Sequence, residues 1–257
     1  MCPDIDAVLY RLAGVFNDAA GYGVRDDTFS VLEALSRTGE DTWFRVGDKD
    51  FATHLVRTEL LRQGRSLTQA TLELCKRFDV SARVLPMTND VVRTRFATDQ
   101  GELSFQEYFV RERLKPALRG IKFASPEPAH ATPEVLAALN GADLVLIGPS
   151  NPLISIDPIL QMTRERMPRD RTWAVTPIVA GASLKGPTAD MMRALGQDPS
   201  PNEVARRYCD VASVFVLDQR DADLKAAIEG LGYRVIVTDT VMRDGGRALA
   251  AAVLRDV

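Results

Sequence analysis

The stretch Asp143–Ser155, DLVLIGPSNPLIS, decides how the second half of this chain is read. It opens with a short, continuous, mostly apolar run that stops at Gly148-Pro149 and passes into a segment with helical character. The same rhythm returns downstream. Thr172–Val175 (TWAV) ends at Thr176-Pro177, Val214–Leu217 (VFVL) ends at Asp218, and Tyr233–Val237 (YRVIV) ends at Thr238-Asp239. Apolar runs that do not alternate predict strands buried on both faces, as in a parallel sheet. Helical patterns lie between them over 155–162, 187–195, 202–208 and 221–231, and 245–255 closes the chain. Strands alternating with helices predict βαβ units and an α/β fold: a Rossmann-like, mostly parallel, doubly wound sheet.

Upstream the pattern changes. Helices are predicted over 48–63 and 67–78, then short alternating strands over 83–85, 91–97 and 102–104, with turns at Asn89-Asp90 and Asp99-Gln100-Gly101. A further helix is expected over 106–113, and Ser125–Thr132 (SPEPAHAT) reads as a linker with His130 exposed in it. The organisation expected is residues 1–14 as a remnant of the sheet domain bearing its first helix, 15–127 as an inserted helical and small-β lobe, and 128–257 as the Rossmann-like part.

At 257 residues and 46% hydrophobic content the chain can bury a substantial core. A net charge of −3, with Lys and Arg dispersed, gives no bulk attraction to nucleic acid or an anionic membrane. Three cysteines, Cys2, Cys75 and Cys209, lack paired spacing and argue against a disulfide framework or a zinc site; Cys75 reads as a buried apolar residue. With neither a signal peptide nor an 18-residue apolar run, a cytoplasmic location is expected.

Four loops follow the carboxyl ends of the predicted strands, where open α/β sheets bind ligands. Gly148, Ser150 and Asn151 precede a helix, so backbone N–H groups and the helix end could hold a phosphate. An ordinary turn with a Ser cap is the other reading, and two prolines remove donors. Lys185, ahead of Pro187, could reach a phosphate or be a plain surface lysine. Asp218 and Asp239 could touch a ribose or form turns.

The first half carries Gly39–Gly64, GEDTWFRVGDKDFATHLVRTELLRQG. In its helix, Phe51, Leu55 and Val56 are expected to face the core, with Asp50, His54 and Arg57 sharing the opposite face. That stripe, beside a loop bearing Thr42, Trp43 and Arg45, suits a ring-and-hydroxyl ligand; it also reads as a solvated face with one Asp–His pair. Asp4 and Asp6 open an apolar helix, as a magnesium-holding pair or as favourable N-terminal charge, and Asp26-Asp27 repeats the ambiguity.

With those residues placed, the chain resembles the 2-phospho-L-lactate transferase family of deazaflavin coenzyme F-420 biosynthesis. The likeness rests on PDIDAVLYRLAG (3–14), DDTFSVLEAL (26–35), the 39–64 segment, FQEYFV (105–110), IGPSNPLISI (147–156), TPIVAGASLKGP (176–187) and VTDTVM (237–242). It implies transfer of a phospholactyl or phosphoenolpyruvyl group from a guanosine diphospho-lactate or -enolpyruvate donor to the terminal ribityl hydroxyl of deazaflavin Fo. GMP leaves and Mg2+ assists. It implies catalytic and metal roles for Asp4 and Asp6, and an Fo site of Thr42, Trp43, Arg45, Asp48 and His54 in an acceptor-binding lobe. It implies nucleotide binding by Gly148, Ser150, Asn151 and Lys185. Family members begin with a strand, a Gly-rich turn and a helix; this chain starts after that unit, so little turnover is expected of these residues alone. A sheet lacking that strand would expose edges and invite aggregation or pairing with a partner; a homodimer is among the expectations. Two alternatives stand beside the transferase: a nucleotide-binding regulatory protein of a related family, and an inactive truncated homologue.

Overall fold

The computed structural model describes residues 2–255. The helices are α1 (Pro3–Leu12), α2 (Ser30–Arg37), α3 (Asp48–Arg62), α4 (Leu67–Arg77), α5 (Pro133–Gly141), α6 (Asp157–Thr163), α7 (Thr188–Ala194), α8 (Pro201–Tyr208), α9 (Lys225–Glu229) and α10 (Arg247–Leu254). The strands are β1 (Arg93–Thr98), β2 (Gly101–Ser104), β3 (Leu118–Ala124), β4 (Val145–Ile147), β5 (Thr172–Val175), β6 (Ile178–Val179), β7 (Ala182–Ser183), β8 (Val214–Asp218) and β9 (Arg234–Thr238).

The chain forms two compact units. One comprises the chain up to Val91 with Gln106–Leu114 and Ser125–Val135; the other comprises Val92–Phe105, Lys115–Ala124 and the chain from Leu136 onward. The antiparallel strands therefore group with the parallel sheet, while α1 groups with the helices.

In the second unit the four predicted strands pair in parallel in the order β4-β5-β8-β9. Every residue of β5 and β8 is buried, whereas β4 and β9 at the edges are partly exposed. Only a strand covered on both faces needs an unbroken apolar run, which is why TWAV and VFVL read so clearly. Trp173, Val175, Val214 and Val216 line one face and pack on Leu249 and Val253 of α10. The α/β class and the parallel sheet are as the sequence predicts. Three helices are shorter or less regular than predicted. The 155–162 segment begins as a π-helical turn over Pro152–Ile156 before α6, and the 221–231 segment is a 3-10 stretch over Gln219–Leu224 leading into α9. The closing helix is α10 alone.

A second sheet in this unit is antiparallel, in the order β2-β1-β3. The Asp99-Gln100-Gly101 turn joins β1 to β2, with Gly101 at φ 107. The predicted strand over 83–85 is absent: those residues are irregular, and the third strand is β3 instead. LRGIKFA carries a glycine and two cations, and it becomes a strand through its long-range register with β1, Phe96 opposite Ile121.

The first unit buries Leu9, Tyr10, Phe16, Val24, Leu74, Cys75 and Val84 in one cluster, with Val56 and Phe78 packed against it. Cys75 is buried and free, as expected of a small apolar residue. α4 starts with a complete capping box, Ser66 with Gln69. The segment expected as a helix over 106–113 is a π-helix over Glu107–Arg111. Residues 125–132 carry no regular structure and His130 is exposed, matching the predicted linker.

Candidate functional site

Two helix starts in the first unit hold each other in place. The Asp27 carboxylate accepts the backbone N–H of Lys49 at 2.8 Å and of Asp50 at 3.2 Å, capping α3. The Asp48 carboxylate in return accepts from Thr28 Oγ1 at 2.6 Å and from the N–H of Ser30 and Val31 at 3.0 Å each, capping α2. Orphan donors at helix ends need such acceptors, and these bonds hold the Asp48 carboxyl below its usual range. Asp48, expected in the Fo site, therefore does structural work in this unit, and Asp27 caps a helix. Gly47 sits against this exchange: a Cβ there would lie 2.1 Å from Asp27 Oδ2. Glycine is the residue that fits.

α3 turns out to bury a different face from the one its apolar residues suggest. Leu55 is 55% exposed, and the buried positions are Thr53, Arg57 and Leu60. The expectation that Phe51, Leu55 and Val56 together face the core is corrected; Val56 alone of the three packs on the core cluster. The polar stripe points inward because α1 supplies the partners its charges need. Arg57 and Asp6, each 3% exposed, form a bidentate pair through both guanidinium ends. His54 Nε2 lies 3.4 Å from Asp6 Oδ2 and 3.3 Å from Asp50 Oδ1. Tyr10, fully buried, donates its hydroxyl to Asp50 Oδ1 at 2.7 Å.

With His54 protonated, this set holds two carboxylates and two cations. Burial pushes the His54 imidazole down, but its bonds to Asp50 and Asp6 outweigh that and bring it to about 8. Burial likewise pushes Asp50 up, and its bonds to His54 and Tyr10 more than reverse it. Burial together with the Asp50 contact drives the Tyr10 phenol far up, so it stays a donor at any physiological pH. Asp4, one turn-position earlier on the same helix, is exposed and makes no hydrogen bond or ion pair with any described residue. The two acids that look equivalent in sequence are thus opposites: Asp6 is committed to Arg57 and His54, and Asp4 is free.

The Thr42–Arg45 loop is a separate cluster of the same unit. Trp43 meets Phe44 edge-on at 5.7 Å and carries the Arg111 guanidinium over its face at 5.3 Å. Arg45 lies over Phe29 at 4.2 Å, and Thr42 is half-buried.

In the second unit Gly148–Asn151 leaves β4 as a tight turn, Ser150 N–H donating to Gly148 O at 2.7 Å. Asn151 Oδ1 accepts the N–H of Leu153 at 2.9 Å, and its Nδ2 faces Met191 Sδ at 3.6 Å. Asn151 is the cap of the following turn, where the sequence pointed to a serine cap. The Ser150 side chain is exposed and a Cβ added at Gly148 would meet no atom within 4 Å, so this corner is open. Lys185 is exposed and bonds to no described residue.

Asp218 and Asp239 both act as turn formers, one of the two roles the sequence allowed them. Asp218, fully buried at the end of β8, accepts Thr240 N–H and Oγ1 on one oxygen and Arg220 N–H and Nε on the other. Asp239 binds Val241 N–H and Arg243. Burial alone would raise the Asp218 carboxyl, but those bonds hold it far below the usual range. A depressed carboxyl adds stability that is fully present above its unfolded value, about 3.9, and is lost as pH falls toward the folded one. Asp218→Asn should therefore be less stable than wild type at pH 7, with the gap narrowing steadily below pH ~4. Urea unfolding across that range measures it, and a gap independent of pH would contradict the assignment.

A parallel four-strand sheet with helices packed on it first defines the class, an α/β fold, and a solved structure shares that fold. The chain matches a UPF0052-family protein from Bacillus halodurans with a TM-score of 0.55 at 14% identity, covering 97% of this chain and 85% of that one. Sequence then defines the family. The model of 2-phospho-L-lactate transferase CofD matches residues 1–250, and the chain belongs to that family. The 2-phospho-L-lactate transferase of Methanopyrus kandleri is 40% identical over 99% of this chain and 84% of its own length. That of Methanosarcina barkeri is 37% identical over 94% of this chain and 79% of its own length. The chain is a transferase of this type. No helix among the described residues is long and apolar enough to cross a membrane.

Tyr10 and Arg111 were not legible as site residues, and Asp27 was legible only as N-terminal charge or a metal acid. Tyr10 looks like any apolar-helix tyrosine, and Arg111 reaches Trp43 only through the fold. Asp50 and Arg57 carried a signal, their shared helical stripe with His54.

Proposed function

We propose that this protein moves a phospholactyl or phosphoenolpyruvyl group from a guanosine diphospho donor to the ribityl hydroxyl of deazaflavin Fo, with release of GMP, in coenzyme F-420 biosynthesis. The observation that carries the reading is the match of the CofD family over nearly the whole chain, joined to relatives named as 2-phospho-L-lactate transferases. Part of the geometry supports it. The Trp43 ring and Arg45 offer a planar ligand an aromatic face and a cation, and Thr42 adds a hydroxyl. Gly148 and Ser150 leave an open corner after β4 suited to a phosphate or ribose, with Asn151 shaping the turn and Lys185 free to approach an anion.

The residues also fit a magnesium ion, in a narrower way than the pair Asp4 and Asp6. Magnesium takes oxygen ligands, keeps several waters, and is often held by one or two carboxylates plus substrate phosphates. Asp6, Asp50 and His54 bring ligand atoms within 4.8 Å of one another, yet both Asp6 oxygens are taken by Arg57, and the third donor is an imidazole nitrogen held between carboxylates. Asp4 is the free carboxylate and would hold the ion, with Asp6 fixing the helix turn that presents it. When bound, magnesium would neutralise phosphoryl charge. The protein's own part is positioning: in-line phosphoryl transfer asks for oriented reactants and compensating charge more than for a strong base. Asp48 and His54 serve the acceptor side indirectly, Asp48 by capping α2 and His54 by bracing Asp50 and Asp6.

Binding measurements test this reading. Fo should bind, a UDP-sugar should not compete with GDP, and Trp43→Ala should weaken Fo binding by about 1–3 kcal/mol through lost ring burial. Fluorescence titration of the deazaflavin reads the affinity. Unchanged Fo affinity in that variant would remove Trp43 from the acceptor site, and preference for the UDP-sugar would overturn the donor assignment.

A further inference from the structure

Between Glu107 and Leu114 the backbone leaves its usual conformations twice. Glu107–Arg111 winds as a π-helix, closed by Glu112 N–H to Glu107 O at 2.8 Å. π turns are rare and concentrate at functional sites. Arg113 and Leu114 follow at φ 52 and 61, consecutive left-handed residues with full side chains. L-residues disfavour that region, and where it persists the surroundings over-determine it, often at a ligand site. Leu114 N–H to Tyr108 O at 2.8 Å locks the turn.

The product of this irregular turn is the position of one side chain. Arg111 lies with its guanidinium carbon 5.3 Å from the Trp43 ring centre and Nη2 3.8 Å from Asp41 Oδ2. Asp41 also faces the Trp43 backbone N–H, at 3.4 Å. Asp41, Trp43 and Arg111 thus form a closed set in which the carboxylate aims the guanidinium and the guanidinium covers one face of the ring. Its half-exposed setting is where a cation on an aromatic face contributes modestly but directionally.

We propose that Arg111 is a positioning residue of the acceptor site: it fixes the Trp43 ring so that the ring is presented, already ordered, for stacking by a planar heteroaromatic ligand. The proposal rests on the reading that the Trp43 loop receives the deazaflavin. A tryptophan on an unbraced loop samples several rotamers, and ordering it upon binding weakens affinity. Lysine cannot substitute, because a planar guanidinium stacks on a ring and pairs with a carboxylate at once, while an ammonium is a point charge.

The experiment uses Arg111→Lys and Arg111→Ala in the full chain. Trp43 emission, separated from that of Trp173 by comparison with Trp43→Phe, is followed with acrylamide quenching, and affinities for Fo and for GDP are titrated. Both variants should show stronger quenching of Trp43 and Fo affinity lower by about 2- to 5-fold, the size of an exposed cation–π contact, with GDP affinity unchanged. If Trp43→Ala weakens Fo binding while both Arg111 variants leave it unchanged, the positioning role is wrong and the acceptor site stands. If Trp43→Ala itself has no effect, the acceptor reading falls and takes this proposal with it. Equal weakening of Fo and GDP in both variants would mark a general structural role and overturn the proposal as well.

Discussion

Arg57→Met should lower the free energy of unfolding by about 3–5 kcal/mol, the cost of leaving one partner of a buried ion pair uncompensated. Asp6 is 3% exposed and, among the described residues, has its charge balanced by Arg57 and His54. Without the guanidinium, a carboxylate remains in a low-dielectric setting with a single imidazolium beside it, and α1 loses one of its ties to α3, keeping those of Tyr10 to Asp50 and Asp6 to His54. The double variant Asp6→Asn/Arg57→Met removes both charges and should recover a large part of the loss, because a neutral pair no longer carries the desolvation penalty. Urea unfolding of both variants decides it. A loss below about 1 kcal/mol in the single variant would put the pair in the class of exposed ion pairs and would undo the argument that α3 buries its polar stripe.

Asp4→Asn should cut turnover by about 100-fold or more while changing Fo affinity less than twofold. The expectation follows from Asp4 being the free acid at the start of α1: charge neutralisation at a transferring phosphoryl group is worth several kcal/mol, and each 1.36 kcal/mol is tenfold in rate. An interaction made mainly in the transition state lowers kcat without weakening ground-state binding. Asn keeps the shape of the side chain and removes only the charge, so a folding defect is not expected from an exposed position. Steady-state kinetics of the full-length protein, including the family's N-terminal strand–turn–helix unit, with Fo affinity measured in parallel, give both numbers. Turnover near wild type would shift the metal-facing role away from Asp4, and a matching loss of Fo affinity would make it an acceptor-binding residue instead.

The sequence carried the parallel sheet because its central strands are buried on both faces. Trp173–Val175 and Val214–Leu217 must be apolar throughout, and short runs of this kind that stop at turn residues read as buried strands. The antiparallel sheet was half legible. Glu102–Ser104 and the Asp99–Gly101 turn are local features and were found, whereas Leu118–Ala124 alternates weakly, contains Gly120, and is a strand because Phe96 and its neighbours on β1 complete its hydrogen bonds. Local propensity could not see that pairing.

The site divides along the same line. Helical spacing alone determined that Asp50, His54 and Arg57 share one face of α3, and the order PDID alone placed two acids at the start of α1. Only the tertiary structure decided that this charged face points inward, because the partners that make its burial tolerable, Asp6 and Tyr10, lie some forty to fifty residues away in sequence on another helix. It decided as well that Asp6 is locked while Asp4 is free, and that Arg111 stands on Trp43. Periodicity reports which residues share a face; it does not report what that face meets, and the energy of a buried charge is set entirely by what it meets.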